Sequence, residues 1–387
     1  MMKIAYINFF YSQENMAGVE KKLIDEAKYY TEQYVDVFLL NNKKDGFFQY
    51  IHYKKITNYF SMPSWLSYFY IRLFTFSLID KIIPIEAYDK IYIRYPLMDL
   101  SALHFGKKYG QKIVTQHHTK ELEEIQKYHI NKLFKIFQYI LEKYLAPRFF
   151  RYVYALTAMT DEVIAYEQKR LSFQKKTYRF SNGIAVDAFK MHTPPILTKE
   201  FHLTIVASHY APWHGLDRVL KSLRGYRHKT YAIYLHIVGK IPSELLTVVE
   251  EFKTRNMIFV LVYGKLDTQD LDNVFAKTHM ACDSLAMYRL NMNESSTLKS
   301  KEYIARGIPY LYSAEDKDMQ IIEKYLYNVG NNDSIIDFDA VIEHYESLNI
   351  RTMQKEMAVC VKNNLSWEKK VSSLVDFLSE TCESTCI

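Results

Sequence analysis

Two successive runs in which strand and helix patterns alternate constrain the fold of this 387-residue chain more than any other feature. The first run opens with the apolar segment MKIAYINFF, continues with the helix-spaced VEKKLIDEAKYYTEQY and reaches the strand pattern VDVFLL. The second run begins at HLTIVAS and repeats the alternation as far as IPYLYS. Strands and helices that alternate without hairpin signals indicate parallel sheets. The sequence therefore predicts an α/β chain with two doubly wound, Rossmann-like sheets.

The boundary between the two predicted domains follows from turn residues. The segment RFSNGIAVDAF contains an Asn-Gly turn and closes the first run, and the adjacent prolines of HTPPILTKEFH follow it as a linker-like segment. These features predict a first domain at 1–188 and a second at 189–366. With 49% hydrophobic residues, the chain is long enough to bury two cores.

The stretch RLNMNESSTLKSKEYIARGIPYLYS, at 289–313, combines a predicted helix with a distinctive set of charges. Ser295 and Ser296 are favourable N-cap residues, and strong helix formers follow them. Lys299 lies about one turn inside the helix, and Glu302 follows on the same face. Unpaired amides at a helix N-terminus, together with a lysine, suit an anionic phosphate. The alternative is a surface helix whose charges are simply solvated.

The spacing of two glutamates in this stretch carries a family resemblance. Glu294 and Glu302 are separated by seven residues, and a small residue, glycine, one further residue and proline follow. This pattern resembles the nucleotide-sugar site of retaining glycosyltransferases of family 4, and NESSTLKSKEYIARGIP is similar to a bacterial branch that builds surface polysaccharides. The resemblance covers the whole second domain but the first only at its loops.

The resemblance implies the GT-B fold, in which two Rossmann-like domains face a cleft. NNLSWEKKVSSLVDFL is similar to the final helix of such enzymes, which implies that residues from about 367 to 387 cross back to the first domain. In the family the second glutamate holds the ribose of the donor and the first lies near the donor sugar, which implies these roles for Glu302 and Glu294. Glu294 is thereby a candidate catalytic residue. The other implied donor-binding residues near this stretch are Arg289, Ser296, Thr297, Leu298 and Lys299.

The segment HYAPWHGLDRVL resembles the phosphate loop of the family, with His214 and Gly215 at its centre. The commoner family version has an arginine after the preceding strand and a lysine just before the glycine. Here these positions hold Ser208 and His214, so the positive charge must come from elsewhere. The residues expected to supply it are Lys299, His214 in its protonated form, Arg289 and Lys240.

Two loops of the first domain carry the rest of the resemblance. AGVE resembles the glycine loop that the family places near the donor diphosphate and the acceptor, with Gly18 retained and Ala17 in place of the usual second glycine. KIVTQHH places His117 and His118 at the carboxyl end of a predicted strand, on the same rim as Gly18. A family histidine at this strand end contacts the donor sugar. His118 is the closer match and the second candidate catalytic residue, and His117 is the alternative.

No metal ion or cofactor is expected. A divalent cation bound by Asp-x-Asp commonly neutralises a diphosphate. The pattern Asp337-Phe-Asp339, however, lies in an amphipathic segment remote from the glutamate stretch. The helix N-terminus and Lys299 are expected to take the place of the cation. The resemblance implies retention of the anomeric configuration, with the leaving phosphate accepting the proton of the acceptor.

The distribution of charge suggests a second kind of partner. A net charge of +6 is too small to predict nucleic-acid binding. Between 125 and 152, however, six Lys or Arg residues stand against the single Glu142, interleaved with Phe and Tyr. The aromatic segment 50–83 ends in a run as long as a membrane span, but Arg72 and Asp80 interrupt it. We expect a buried or interfacial helix there; the alternatives are complete packing within protein and contact with an anionic membrane surface.

The sequence and the resemblance together predict a glycosyltransferase of hexosyltransferase type in polysaccharide biosynthesis. The expected donor is a UDP- or GDP-sugar, and the expected acceptor is a glycan or lipid-linked glycan. A cytoplasmic location, with peripheral contact to the inner face of the plasma membrane, fits an N-terminus without a cleavage site and only four cysteines. Two alternatives stay open: a nucleotide-sugar epimerase of the same fold, and a non-enzymatic basic protein that binds membranes or polyanions.

Overall fold

The computed structural model divides the chain into two units. The first unit comprises Met1–Ser181 and Trp367–Ile387, and the second comprises Asn182–Ser366. The chain thus leaves the first unit seven residues before the predicted boundary at 188. The structure describes residues 2–9, 16–59, 64–127, 131–227 and 230–380.

The first unit contains a sheet with helices before and after most of its strands. The strands are β1 (Ile4–Phe9), β2 (Val35–Asn41), β3 (Gly46–Phe48), β4 (Ile51–Lys55), β5 (Lys90–Arg94), β6 (Ile113–His117), β7 (Ala155–Ala158) and β8 (Lys176–Arg179). The helices are α1 (Met16–Glu32), α2 (Ser64–Leu73), α3 (Thr75–Ile82), α4 (Ala102–Tyr109), α5 (Glu121–Lys127), α6 (Lys132–Phe150) and α7 (Asp161–Leu171).

The strand order in this sheet is β3-β4-β2-β1-β5-β6-β7-β8, and every pair is parallel except β3 with β4. Every residue of β1 is buried, as expected for a strand covered on both faces. The order reverses between β1 and β5, so the carboxyl ends of these strands form a topological switch point, where such sheets bind ligands. The short strands β3 and β4, at one edge of the sheet, are not predicted by the sequence pattern.

The second unit repeats the architecture with all strand pairs parallel. Its strands are β9 (Glu200–His209), β10 (Ala232–Lys240), β11 (Ile258–Gly264), β12 (Met280–Cys282), β13 (Tyr310–Tyr312) and β14 (Tyr327–Asn328), in the order β11-β10-β9-β12-β13-β14. Its helices are α8 (Leu216–Gly225), α9 (Ser243–Glu250), α10 (Thr268–Phe275), α11 (Leu298–Ala305), α12 (Phe338–Ser347) and α13 (Ile350–Cys360). The switch point lies between β9 and β12. The predicted pair of doubly wound parallel sheets is confirmed.

The last helix, α14 (Trp367–Ser379), belongs to the first unit. The ring of Phe377 stacks on Tyr178 with 5.0 Å between centroids, and the Lys22 ammonium lies 5.6 Å from the centre of the Trp367 ring. Residues 381–387, the remainder of the predicted returning segment, lie outside the described residues, as do Cys382 and Cys386.

The aromatic run at 64–83 forms two helices that are separated at Phe74. In α3, Phe76 and Ile79 are fully buried in the core, whereas in α2 Leu66 and Phe69 are exposed by 37% and 41%. Part of the run is therefore core and part is surface. Within the described parts of the chain, no helix is both long and apolar enough to cross a membrane.

The predicted loop at Ala17 and Gly18 is instead the first turn of α1, which begins at Met16. Amides in the first turn have no acceptor within the helix in any case, so a glycine disturbs little there. This corrects the expectation of a loop at Ala17 and Gly18. The predicted loop also included residues 11–15; these residues and residue 10, the end of the predicted first strand, lie outside the part of the chain that the structure describes.

Candidate functional site

Helix α11 begins one residue later than the sequence suggests. The Thr297 hydroxyl caps it and accepts a hydrogen bond from the Ser300 amide at 3.1 Å. The predicted N-caps, Ser295 and Ser296, are therefore wrong. Ser296 is occupied elsewhere, because its hydroxyl accepts from the Asn182 amide at 3.2 Å and its carbonyl accepts from the Asn182 side chain at 2.5 Å.

The C-terminal end of α11 follows the sequence prediction. Gly307 has a φ of +73°, and its amide donates to the Ile304 carbonyl at 3.0 Å. The Ile308 amide donates to the Tyr303 carbonyl at 2.9 Å. These two bonds form a Schellman motif, which ends the helix and leads the chain into β13.

Lys299 carries a buried ammonium group near the start of α11. Its Nζ is inaccessible to solvent and, in the described part of the chain, has no hydrogen-bond partner. The nearest carboxylate oxygen, Oδ1 of Asp283, is 3.8 Å away, too far for a hydrogen bond. Burial lowers the pKa of Lys299, and Asp283 partly opposes that shift. A desolvated cation without an acceptor is unfavourable, so this position favours an incoming anion.

Asp283 is the residue of this site that the sequence analysis missed. It follows β12 directly at the switch point and is 3% exposed. Its Oδ1 accepts a hydrogen bond from the Thr297 hydroxyl at 2.6 Å, so one carboxylate connects the helix cap with Lys299. The sequence feature that indicates this residue is an aspartate directly after the carboxyl end of a buried strand, where parallel sheets bind ligands.

The loop before α8 is tied to the segment after β12. Gly215 has a φ of +73°, and a Cβ there would lie 3.1 Å from the carbonyl carbon and the Cβ of Leu285. The Leu285 amide donates to the His214 carbonyl at 3.2 Å, and the Ala286 amide donates to the Trp213 carbonyl at 3.1 Å. The position therefore requires glycine twice over, for its backbone conformation and for the close approach.

His214 does not supply a positive charge, which corrects the sequence expectation. Its Nδ1 accepts a hydrogen bond from the Ala211 amide at 3.0 Å. Burial, followed by the nearby Lys299 ammonium, lowers the pKa of His214 to about 2. The imidazole is therefore neutral at physiological pH and orders the loop.

Arg289 is also committed to partners within the protein. Its guanidinium makes a two-bond ion pair with Asp217, at 2.9 and 2.8 Å, and donates to the Pro212 carbonyl at 2.7 Å. The Asp217 carboxylate is the first cause that raises the pKa of Arg289. This arginine must exchange partners before it can contact a phosphate, whereas Lys299 need not. Lys240 is exposed at the end of β10.

Glu302 is oriented by a buried arginine. Nε and Nη2 of Arg306 donate to Glu302 Oε1 at 3.0 and 2.9 Å, and Arg306 is 2% exposed. Arg306 also pairs with Asp272. In the described part of the chain, Oε2 of Glu302 receives no hydrogen bond, and a quarter of the side chain is exposed. Its carboxylate is thus fixed with one oxygen available.

Glu294 lies in the extended segment that precedes the cap of α11. A backbone bridge joins it to Glu315, and its Oε1 lies 2.9 Å from the Lys317 ammonium. The side chain is 16% exposed. Glu294 and Glu302 are thus each held by a cation of their own. Leu298, the remaining predicted donor-binding residue, opens α11 and is 38% exposed.

The Asp-x-Asp pattern at Asp337 and Asp339 has a structural role. The Asp337 carboxylate caps α12 and accepts hydrogen bonds from the amides of Asp339 at 3.0 Å and Ala340 at 3.2 Å. A second such pattern, Asp316 and Asp318, surrounds the buried ammonium of Lys301 at 2.6 and 3.2 Å.

In the first unit, the two adjacent histidines differ in their surroundings. His117 is fully buried; its Nδ1 lies 2.6 Å from Glu121 Oε1, and its Nε2 lies 3.0 Å from the Thr115 hydroxyl. His118 is partly exposed, and its Nε2 is buried with no hydrogen-bond partner among the described residues. Burial, followed by Arg94, lowers the pKa of His118 well below 6.5. Of the two, His118 is the one with a ring nitrogen that has no hydrogen-bond partner among the described residues.

Comparison with known proteins places the fold. No protein-family model matches the chain, and no curated protein sequence does. Solved structures do match along its length. A glycosyltransferase from Rickettsia africae is 14% identical with a TM-score of 0.66, covering 97% of both chains.

Two further solved structures show the same likeness. Sucrose-phosphate synthase from Thermosynechococcus elongatus is 13% identical with a TM-score of 0.63, over 97% of this chain and 98% of that one. Anabaena HepE in complex with UDP-glucose is 15% identical with a TM-score of 0.59, over 98% of this chain and 100% of that one. At such identities the likeness concerns the fold, and this fold is GT-B, as the resemblance implied.

The neutral state of His214 gives a prediction that does not depend on the function. Because the pKa is lowered to about 2, the ring resonances of His214 should not shift between about pH 4.5 and about pH 8, where ordinary histidines titrate. Histidine-selective NMR, with the signal assigned through His214→Gln, measures this. A titration step near the usual histidine pKa would contradict it.

Proposed function

We propose that this protein is a glycosyltransferase that moves a sugar from a nucleoside diphosphate sugar to a glycan or lipid-linked acceptor. The observation that carries the proposal is the buried ammonium of Lys299, which has no hydrogen-bond partner among the described residues and lies near the N-terminus of α11, at the switch point of the second sheet. Anions bind favourably at such a position. The diphosphate of a nucleotide would reach it, because parallel sheets bind ligands at their switch points. The solved Anabaena HepE contains UDP-glucose, which supports a nucleotide-sugar donor for this fold.

The diphosphate would bind between Lys299 and the first-turn amides of α11. Thr297 and Asp283 fix the cap of that helix, and Asp283 stays 3.8 Å from the ammonium, so that Nζ can still donate to a phosphate oxygen. Ser296 lies just before the cap and Leu298 just after it, next to the same amides. The absence of a side chain at Gly215 lets this loop pack against Leu285, two residues beyond Asp283.

The ribose would be held by Glu302. Arg306 occupies Oε1 and so aims Oε2, the oxygen that a ribose hydroxyl would reach. Because the ribose is unchanged during the reaction, this contact contributes equally to the ground state and the transition state.

Glu294 would act beside the donor sugar. Positive charge develops on the sugar ring as the bond to the diphosphate breaks, and a carboxylate there stabilises it. Its ion pair with Lys317 holds the side chain in place. A retaining reaction, in which the leaving phosphate accepts the proton of the acceptor, is part of the proposal, as is membership of family 4.

In the first unit, His118 is the proposed contact to the donor sugar, supported by its unpartnered Nε2. The first turn of α1, with Ala17 and Gly18, keeps its proposed place near the diphosphate and acceptor. Arg289 remains a proposed donor contact that requires release from Asp217.

A surface on the first unit supports a lipid-linked acceptor. It comprises seven exposed side chains, here termed the α2/α6 surface: Leu66, Phe69, Leu133, Ile136, Phe137, Ile140 and Tyr144. The five members in α6 lie on one helical face, and the contact of Phe69 with Phe134, at 5.4 Å between ring centroids, joins α2 to it.

The charges around this surface suit an anionic membrane. Lys132, Lys143 and Arg148 are exposed on α6. Glu142, the acid of the same segment, is fully buried and pairs with Arg170 at 2.5 Å, so it does not offset them. An apolar helical face flanked by basic residues is typical of a helix that lies in the lipid interface. An epimerase would have no use for such a surface, which favours the transferase.

The first prediction of this proposal distinguishes the roles of three charged residues, two in α11 and one in the segment before it. Glu302→Ala should chiefly raise the donor KM, by roughly ten- to a hundredfold, since a charge-assisted hydrogen bond contributes about 1.5–3 kcal/mol. Glu294→Ala should lower kcat more than it raises KM. Lys299→Ala should weaken binding of UDP or GDP, because the product carries the same diphosphate.

Steady-state kinetics and nucleotide titrations on these variants provide the test. Glu343→Ala on α12 and Lys355→Ala on α13 are controls, because both residues are exposed on helices of the same unit and should leave kinetics unchanged. Unchanged donor affinity in Glu302→Ala would refute the ribose contact.

Independence from magnesium is the second prediction. If α11 and Lys299 neutralise the diphosphate, transfer activity should persist in excess EDTA and should not rise when Mg²⁺ is added. Activity assays with and without chelator measure this. Complete loss in EDTA that Mg²⁺ restores would show that a cation does this work instead.

Membrane binding by the α2/α6 surface is the third prediction. The protein should sediment with phosphatidylglycerol vesicles, less so as salt rises, and much less with neutral vesicles. Replacing Leu133, Ile136 and Ile140 by Ser should weaken this binding about tenfold or more, since each apolar side chain contributes when it leaves water.

The matched control replaces Ile196, Ile321 and Val359 by Ser, three exposed aliphatic residues of the second unit. This variant should bind vesicles as the wild type does. Equal binding by both triple variants, or no binding by the wild type, would mean that the α2/α6 surface has another role.

A further inference from the structure

The first unit contains a buried cluster of one histidine and two glutamates that the proposed function does not use. His117 lies at the end of β6, Glu121 opens α5 and Glu167 lies in α7. Each offers a ligand atom, and these atoms all lie within 4.8 Å of one another. All three side chains are buried, by 95% or more. This arrangement brings one imidazole nitrogen and two carboxylates together in a dry interior.

Two carboxylate oxygens in the cluster lack partners. Oε2 of Glu121 and Oε1 of Glu167 are inaccessible to solvent and, among the described residues, accept no hydrogen bond. Buried carboxylate oxygens are normally paired, because leaving one unpaired costs its full desolvation. Two such oxygens in one cluster require compensation, either by a bound cation or by a proton that the two carboxyl groups share.

The charge balance points the same way. A third buried carboxylate, Glu142, lies nearby, and Arg170 is the cation paired with both Glu142 and Glu167. With all three carboxyl groups ionised, one guanidinium would leave two negative charges uncompensated in a desolvated region, a state that is strongly unfavourable. A single divalent cation would supply that compensation.

The surroundings already hold the ligand side chains in position. Nδ1 of His117 lies 2.6 Å from Glu121 Oε1, a hydrogen bond that a metal ion would replace, and Nε2 lies 3.0 Å from the Thr115 hydroxyl, to which it would then donate the ring proton. Nε of Arg170 donates to Glu167 Oε2 at 3.1 Å, which leaves Oε1 for the cluster. Such contacts behind the ligands are typical of metal sites, where they fix the ring and the carboxylate orientation.

We propose that His117, Glu121 and Glu167 bind one divalent transition-metal ion, which stabilises the first unit. A mixed nitrogen and carboxylate set suits Zn²⁺, Mn²⁺ or Fe²⁺. Mg²⁺ fits poorly, because it retains several waters and the cluster is dry. The ion is structural, and it is distinct from any cation at the donor diphosphate, which the second unit binds in the proposed function.

The competing account is that protons, not a metal, neutralise Glu121 and Glu167. Glu121→Gln separates the two accounts, because the amide matches the carboxyl group in size but is a poor metal ligand and carries no charge. Under the metal account the variant loses the ion and unfolds at a lower temperature. Under the proton account neither the wild type nor the variant contains metal, and the variant unfolds at the same temperature as the wild type or at a higher one.

The experiment measures metal content and thermal stability of the full chain, purified without chelator or a histidine tag. Elemental analysis should find about one Zn, Mn or Fe ion per wild-type chain, and much less in Glu121→Gln and Glu167→Gln. The matched control is Glu26→Gln, because Glu26 is also buried in the first unit with an unpartnered oxygen but lies outside the cluster. It should retain the ion.

Reconstitution completes the test. Adding Zn²⁺ to chelator-treated wild type at about a hundred times the Kd should raise Tm by roughly 5–10 °C, and Glu121→Gln should not respond. If Glu167→Gln fails to fold because Arg170 loses a partner, Glu121→Gln alone decides. Wild type that contains no metal and shows no Tm shift with Zn²⁺, Mn²⁺ or Co²⁺ overturns the proposal, as does an equal shift in Glu121→Gln.

Discussion

The buried ammonium of Lys299 is the interaction around which the candidate site of the second unit is arranged. A lysine that loses its water and gains no hydrogen bond destabilises the folded state, and its lowered pKa reflects that cost. Asp283, 3.8 Å away, partly opposes that lowering of the pKa without forming a hydrogen bond. The same carboxylate binds the Thr297 hydroxyl and so fixes the start of α11. One aspartate thus prepares both the cation and the helix terminus for an anion.

Two other cationic side chains of this unit, almost fully buried, each have several acceptors, whereas Lys299 has one carboxylate at 3.8 Å. Lys301, two residues away, is surrounded by Asp316 and Asp318. Arg218 donates from its guanidinium to four backbone carbonyls and one hydroxyl. These bonds connect the two cations to the segments around them and so stabilise those segments. A buried ammonium without a hydrogen bond, next to such paired cations, is the pattern expected where a ligand completes the structure, because stability is given up locally for binding.

The two units use buried charge in opposite senses. The second unit has a buried ammonium without a hydrogen bond at α11, which suits a diphosphate in the proposed function. The first has buried carboxyl oxygens without partners at Glu121 and Glu167, which suit a cation in the proposed metal site. Both lie beside the carboxyl end of a parallel strand, where side chains leave the sheet and polar groups can gather without interrupting backbone pairing. The fold supplies the position, and the residues that arrive there decide the chemistry.

The sequence by itself determined the two parallel sheets, the end of α11 at Gly307 and the placement of Glu294 and Glu302 around that helix. These follow from neighbours a few residues apart, through apolar periodicity, left-handed glycine and helical spacing. The roles of the two glutamates stay predictions. Only the tertiary structure decided which residues are available for a ligand. Thr297 caps α11, whereas Ser296 is hydrogen-bonded to Asn182. Arg289 is held by Asp217, and burial lowers the pKa of His214 and leaves its ring neutral, so neither side chain offers a free positive charge. Burial and partner choice depend on residues far apart in the chain, which no local pattern encodes.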